Sequence, residues 1–172
     1  MLAAAGAVSM LGTAAGHDHG ADKGPNDSEI AHIAYTAGQI DIRYAHLALA
    51  ISDNPEVRDF AATMVRDHTA VNDAALKLLQ KLNVTPTDNA TSQTIAEQAA
   101  AKRAELKQLT GAAFDKAYAT NELAYHRFVN KTIEETFIPA ADNDEFRALL
   151  GVALKTFKTH QGHAEHLVET IQ

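Results

Sequence analysis

From residue 30 almost to its end, the chain places apolar side chains at alternating three- and four-residue steps. Ile30, Ile33, Ala37, Ile40, Tyr44, Leu47 and Ile51 form the first run, and this period puts them on one face of a helix over about 28–52. Asn54-Pro55 then supplies a capping side chain and a proline at the first helical position. A second helix follows to about Leu82, striped by Val57, Ala61, Met64, Val71, Ala75, Leu78 and Leu82. A weaker stripe of Ile95, Leu106 and Leu109 predicts a shorter helix over about 92–109, which Thr110-Gly111 breaks. Two more long helices are expected, from about Ala112 to Phe137 and from about Asp144 to the end. Pro139 closes the former and Asn143 caps the latter. The last is striped by Phe146, Leu149, Ala153, Phe157, Ala164, Leu167 and Ile171.

Four long helices that must each bury one stripe make an all-α four-helix bundle. The first two form one hairpin and the last two another. The connection between the hairpins is nearly thirty residues long and carries its own short helix. A tight turn would suffice between antiparallel neighbours, so the length predicts a ferritin-like crossover with the second and third long helices parallel.

Composition agrees: the chain is rich in Ala and Leu, lacks Trp, and scatters its β-branched residues. A length of 172 residues suits one domain, expected over 28–172. The net charge of -7, with no basic run, argues against nucleic acid and against an anionic membrane surface as partners. There is no cysteine, so disulfides say nothing about the compartment.

Residues 1–15, MLAAAGAVSMLGTAA, are uncharged, mostly small or apolar, and end in small residues. They read as an export signal whose basic start is missing, and they are too short to span a bilayer. An extracytoplasmic location, periplasmic or envelope-associated, follows as an expectation. Residues 16–27 form a His- and Gly-containing linker. Cleavage after Ala14 would leave Ala-Gly-His as a square-planar site for Cu(II) or Ni(II). A solvated linker is the plainer reading.

Three stretches carry a family likeness: NPEVRDFAATMVRDHTAVN (54–72), LTGAAFDKAYATNELAYHRFV (109–129) and LKTFKTHQGHAEHL (154–167). They resemble a bacterial family of exported proteins known as a domain of unknown function, number four-one-four-two. The resemblance implies a ferritin-like bundle and no particular activity. The matching histidines are His68, His126 and His160, and Tyr125 stands where the family usually has an acidic residue.

On helical geometry, His68 and His160 fall inside their stripes, His126 at the edge of its own, and Glu122 near the centre of the same stripe. His163 falls at the boundary and is at most peripheral, while His166 points away. On the first helix Tyr44 is inside and Asp41 on the flank, with His32 and His46 outward. Imidazoles and a carboxylate facing one another across a bundle suit one transition-metal ion, Zn, Cu, Ni or Fe. The candidate ligands are His68, Glu122, His126 and His160. The same groups, with Tyr44 and Tyr125, also suit a structural polar core. A non-enzymatic binding or interaction protein of the envelope is therefore the first reading, and a metal binder the alternative. A metal-dependent oxidase ranks third, because no inward Glu-x-x-His occurs on any helix. No nucleophile motif or phosphate loop is present.

Overall fold

A computed structural model describes residues 24–171. The export signal, most of the linker and the Ala-Gly-His site lie outside the described residues. The helices are α1 (Asp27–Ile51), α2 (Pro55–Leu82), α3 (Ala90–Leu106), α4 (Gly111–Thr132) and α5 (Asp144–Thr170), with no strand among the described residues. Four of them start on an asparagine. Asn26, Asn54, Asn89 and Asn143 each accept backbone N–H groups of the first turn, which have no partner within the helix. Asn54 and Asn143 match the sequence expectation. Asn26 and Asn89 build capping boxes with Glu29 and Ser92, so α1 and α3 start slightly earlier than periodicity alone indicates.

The fourth helix departs from expectation at its end. A single α-helix to Phe137 was expected. Its α-helical part stops at Thr132, and Ile133–Phe137 forms a wider π-helical turn closed by the Ile138 N–H donating to the Ile133 carbonyl. Pro139 explains the change, because it has no N–H and its ring crowds the carbonyl four residues back.

Two apolar clusters fix the connectivity. One holds Ala48 at the end of α1, Val57 and Phe60 at the start of α2, Phe114 at the start of α4, and Leu167 at the end of α5. The other holds Ile30 from the start of α1, Leu79 from the end of α2, Ile133, and Phe146 from the start of α5. Thus α2 and α4 run parallel, α1 and α5 run parallel in the opposite sense, and α3 carries the chain back along the bundle. Ala99 and Leu106 bury α3 in the first cluster, and Tyr44 of α1 reaches its Ala99 carbonyl. The long crossover is ferritin-like, as its length implies.

The first helix is packed against α2, α3 and α4, so its buried face is broader than one stripe of large residues. Ala31, Gly38, Asp41, Ala45 and Ala48 are buried beside Ile30, Ile33, Ile40 and Tyr44. Asp41 is therefore not on the flank: its exposure is 0%. Small residues let α2 come close, and Asn72 of α2 fills the space above Gly38. The same one-residue rotation appears elsewhere. Asn72 is buried where Val71 was expected, and Leu150 where Leu149 was expected.

A Cβ at Gly38 would collide with the Asn72 side-chain amide, 2.9 Å from its Nδ2. Cβ atoms at Gly151 and Gly162, also within a helix, would meet nothing within 4 Å. Gly38→Ala is expected to lower stability by about 1–2 kcal/mol through overpacking. Gly151→Ala and Gly162→Ala are expected to raise it by up to about 1 kcal/mol through helix propensity. Urea unfolding midpoints of the three variants check the contrast; a stabilised Gly38→Ala would mean that Asn72 turns aside freely.

Candidate functional site

Between the two apolar clusters, α1, α2, α4 and α5 each send ionisable side chains to one level. Asp41, His68, Glu122, His126 and His160 are all buried. The three imidazoles form a nearly equilateral triangle, with ring centroids 5.7 Å (His68–His126), 5.4 Å (His68–His160) and 5.6 Å (His126–His160) apart. Phe157 stacks flat on His68 at 4.5 Å, and Phe60 meets His126 edge-on, so apolar rings bound the centre on both sides.

Asp41 lies inside this group: its Oδ2 is 3.5 Å from Nε2 of both His68 and His126. The Glu122 Oε2 stands 3.8 Å from His126 Nδ1, one helical turn along α4. The hydrogen bonds settle two tautomers. His126 Nδ1 is 2.9 Å from the Glu122 backbone carbonyl, which only accepts, so Nδ1 donates and Nε2 keeps its lone pair toward Asp41. His160 Nε2 lies 3.0 Å from the Asp67 carboxylate and donates to it, leaving Nδ1 with a lone pair. The guanidinium of Arg66 holds the Asp67 carboxyl below the usual carboxylate range, and His160 adds to the effect.

Among the described residues, no hydrogen-bond partner exists for His126 Nε2, His160 Nδ1, either nitrogen of His68, or any carboxylate oxygen of Asp41 and Glu122. Buried polar atoms are normally paired, because an unpaired one costs roughly 1–3 kcal/mol. So many at one level make a candidate donor set for a metal ion. Ligand atoms of His68, His126 and His160 lie within 4.8 Å of one another, and so do those of Asp41, Glu122 and His126.

Of the sequence candidates, His68, Glu122, His126 and His160 converge, whereas His163 and His166 are exposed on α5. Tyr125 donates to the Ala37 carbonyl at 2.9 Å, and Tyr44 packs edge-on against Tyr125. Asp41 and Asp67 were missed. Asp67 follows the helical rule that neighbours diverge: it serves His160 across the groove while His68 points inward.

Burial dominates the electrostatics. It pushes Asp41 up to about 8 and raises Glu122 well above its ordinary value, with Asp41 adding to the latter. It pushes His126 down to about 4, and it pushes His68 well down, with His126 and His160 adding. Burial thus favours protonated carboxyls and uncharged imidazoles throughout the centre.

Its pH dependence follows. The fold holds protons on Asp41 and Glu122 that the unfolded chain releases, and it refuses protons at His68 and His126 that the unfolded chain takes up. From about pH 5 to 6.5 the two carboxyls largely offset the imidazoles, of which His160 is held down as well. Above that range unfolded histidines are neutral too, so the unfolded chain binds fewer protons than the fold. Stability of the metal-free protein is then expected to fall as pH rises from about 6.5 to 8. Below about pH 4.5 the unfolded chain binds more protons than the fold, on the imidazoles and on Asp67, and stability falls with falling pH. Urea midpoints across pH 4–9 measure both limbs; a midpoint that climbs between pH 6.5 and 8 contradicts the assignment.

No helix among the described residues is long and apolar enough to cross a membrane. Among curated proteins, none matches the chain. A Streptomyces coelicolor protein, described as a secreted protein of the DUF305 family, has a similar fold. The TM-score is 0.66 at 13% identity, covering 81% of this chain and 89% of that one. At that identity the likeness concerns the fold. The profile of the family described as Domain of unknown function (DUF4142) matches residues 12–167, and this chain belongs to that family.

Proposed function

We propose that this chain is an extracytoplasmic transition-metal-binding protein, with a centre built by His68, His126, His160 and Asp41 and with Glu122 beside it. The observation that carries the reading is the convergence of buried lone pairs that no protein group satisfies. The separations suit a small ion. Asp41 Oδ2 is 3.5 Å from two imidazole nitrogens, and a tetrahedron with bonds of 2.0–2.1 Å has edges of about 3.3 Å. Three imidazoles and a carboxylate favour zinc, copper, nickel or iron over calcium or magnesium. His126 and His160 each hand their other ring N–H to a fixed acceptor, the Glu122 carbonyl and Asp67, as metal-bound imidazoles generally do. The uncharged stretch 1–15 supports export, as does the likeness to a protein described as secreted.

A structural polar core is the second reading, favoured by the bonds from Tyr125 to α1 and between His160 and Asp67. It leaves His68 and two buried carboxyls without partners, which makes it the weaker account. An oxidase reading has no observation of its own.

Metal content of the mature protein from its own host, with zinc and copper(II) titrations of chelated protein, tests the proposal. Metal at a hundredfold over its dissociation constant is expected to raise stability by about 2.7 kcal/mol, a shift of roughly 5–10 °C at this size. Asp67 is part-exposed, so Asp67→Ala is expected to stay folded yet bind metal about 10–100-fold more weakly. A folded, metal-free protein indifferent to zinc, copper, nickel and iron sinks the proposal.

A further inference from the structure

A second feature opens onto the same level from the opposite side to Asp67. A cavity of about 80 Å³ runs through the half of the bundle that holds the starts of α1 and α5. Its walls are short because the helices contribute Ala34, Ala37 and Gly38 from α1, Ala75 from α2 and Ala153 from α5. Phe157 and Val129 complete an almost wholly apolar lining. Its inner end is different in kind, being formed by Asp41, His68 and His126. Its outer end lies at the seam of α1, α3 and α4, where Thr91 and Phe128 are exposed and Ile95 and Thr132 half-buried.

Size and lining define what fits. A dry apolar cavity of roughly 150 Å³ takes benzene or xenon, so this one takes a body of only a few carbon atoms. A purely apolar guest would leave the inner end as it is, with both nitrogens of His68 and both oxygens of Asp41 lacking partners. A guest with one hydroxyl or carbonyl oxygen at its tip would give them one, while its body fills the apolar part. A charged guest would have to shed its hydration in the apolar stretch, which disfavours ions by this route. We infer that the cavity is a binding site for a small neutral amphiphile, an alcohol- or carbonyl-ended molecule with a short hydrocarbon body, entering between α1, α3 and α4 and placing its oxygen against His68 and Asp41. The inference stands on the cavity and its polar end and concerns the metal-free protein, because a metal held by His68 and Asp41 would occupy the same atoms.

The test uses 1-butanol as probe on the full, metal-free chain, followed by ¹H–¹⁵N spectra. Saturable shifts are expected at the amides of Ala75, Ile95 and Val129 and at the His68 ring nitrogens, all with one dissociation constant. Ala34→Leu with Ala75→Leu fills the cavity and is expected to weaken binding at least tenfold. Xenon is expected to move the amides with little effect on the His68 ring nitrogens. Linear, unsaturated shifts in the wild-type protein overturn the proposal without recourse to any variant. So do saturable shifts confined to other regions, or butanol binding that leaves the His68 ring unmoved.

Discussion

A carboxyl group with no access to water sits between two imidazoles at the middle of this bundle, and much of the rest accommodates it. Ionising Asp41 there is much costlier than in water, as its rise to about 8 indicates. The surroundings respond in kind. Glu122 shares the same pressure, and the imidazoles shed their charge. Only Asp67, at the rim and clamped by Arg66, keeps a full negative charge in contact with the group. The centre is thus graded from a charged, hydrated edge to a neutral interior.

The fold was legible because its signals are redundant. Stripe, cap and crossover length each point to the same bundle, and an error of one or two residues in any of them changes nothing. The candidate site was legible where its residues stand among large apolar neighbours, as His68, His126 and His160 do. Asp41 escaped because the stripe on α1 was traced through Ile and Tyr. The seam that matters for close approach runs through Ala31, Gly38, Ala45 and Ala48, at heptad spacing that includes position 41. A helix enclosed by three others buries both tracks, and that number of neighbours is a tertiary property. The π-helical turn likewise needed more than the presence of Pro139, since proline signals a break without saying how the backbone makes room for it.

The shared bundle architecture says little about chemistry. Ferritin-like di-iron sites use a Glu from each of two helices and Glu-x-x-His from each of the others. Here α2 and α5 bring histidine without an inward glutamate, and the two central carboxyls come from α1 and α4. The candidate donor set is richer in nitrogen than in oxygen, a composition that would suit hard, oxygen-seeking ions poorly. Fold likeness at 13% identity is compatible with that divergence, because sites evolve on folds independently.

The parallel placement of α2 and α4 divides the polar groups evenly by hairpin. One hairpin, α1 with α2, carries Asp41, Asp67 and His68; the other, α4 with α5, carries Glu122, His126 and His160. Each hairpin is built from contacts short in sequence and can form early, with its ionisable groups still in water. Desolvation falls due only when the two halves close on each other. Assembly of the centre and docking of the hairpins are therefore inseparable, because neither half alone can take these groups out of water.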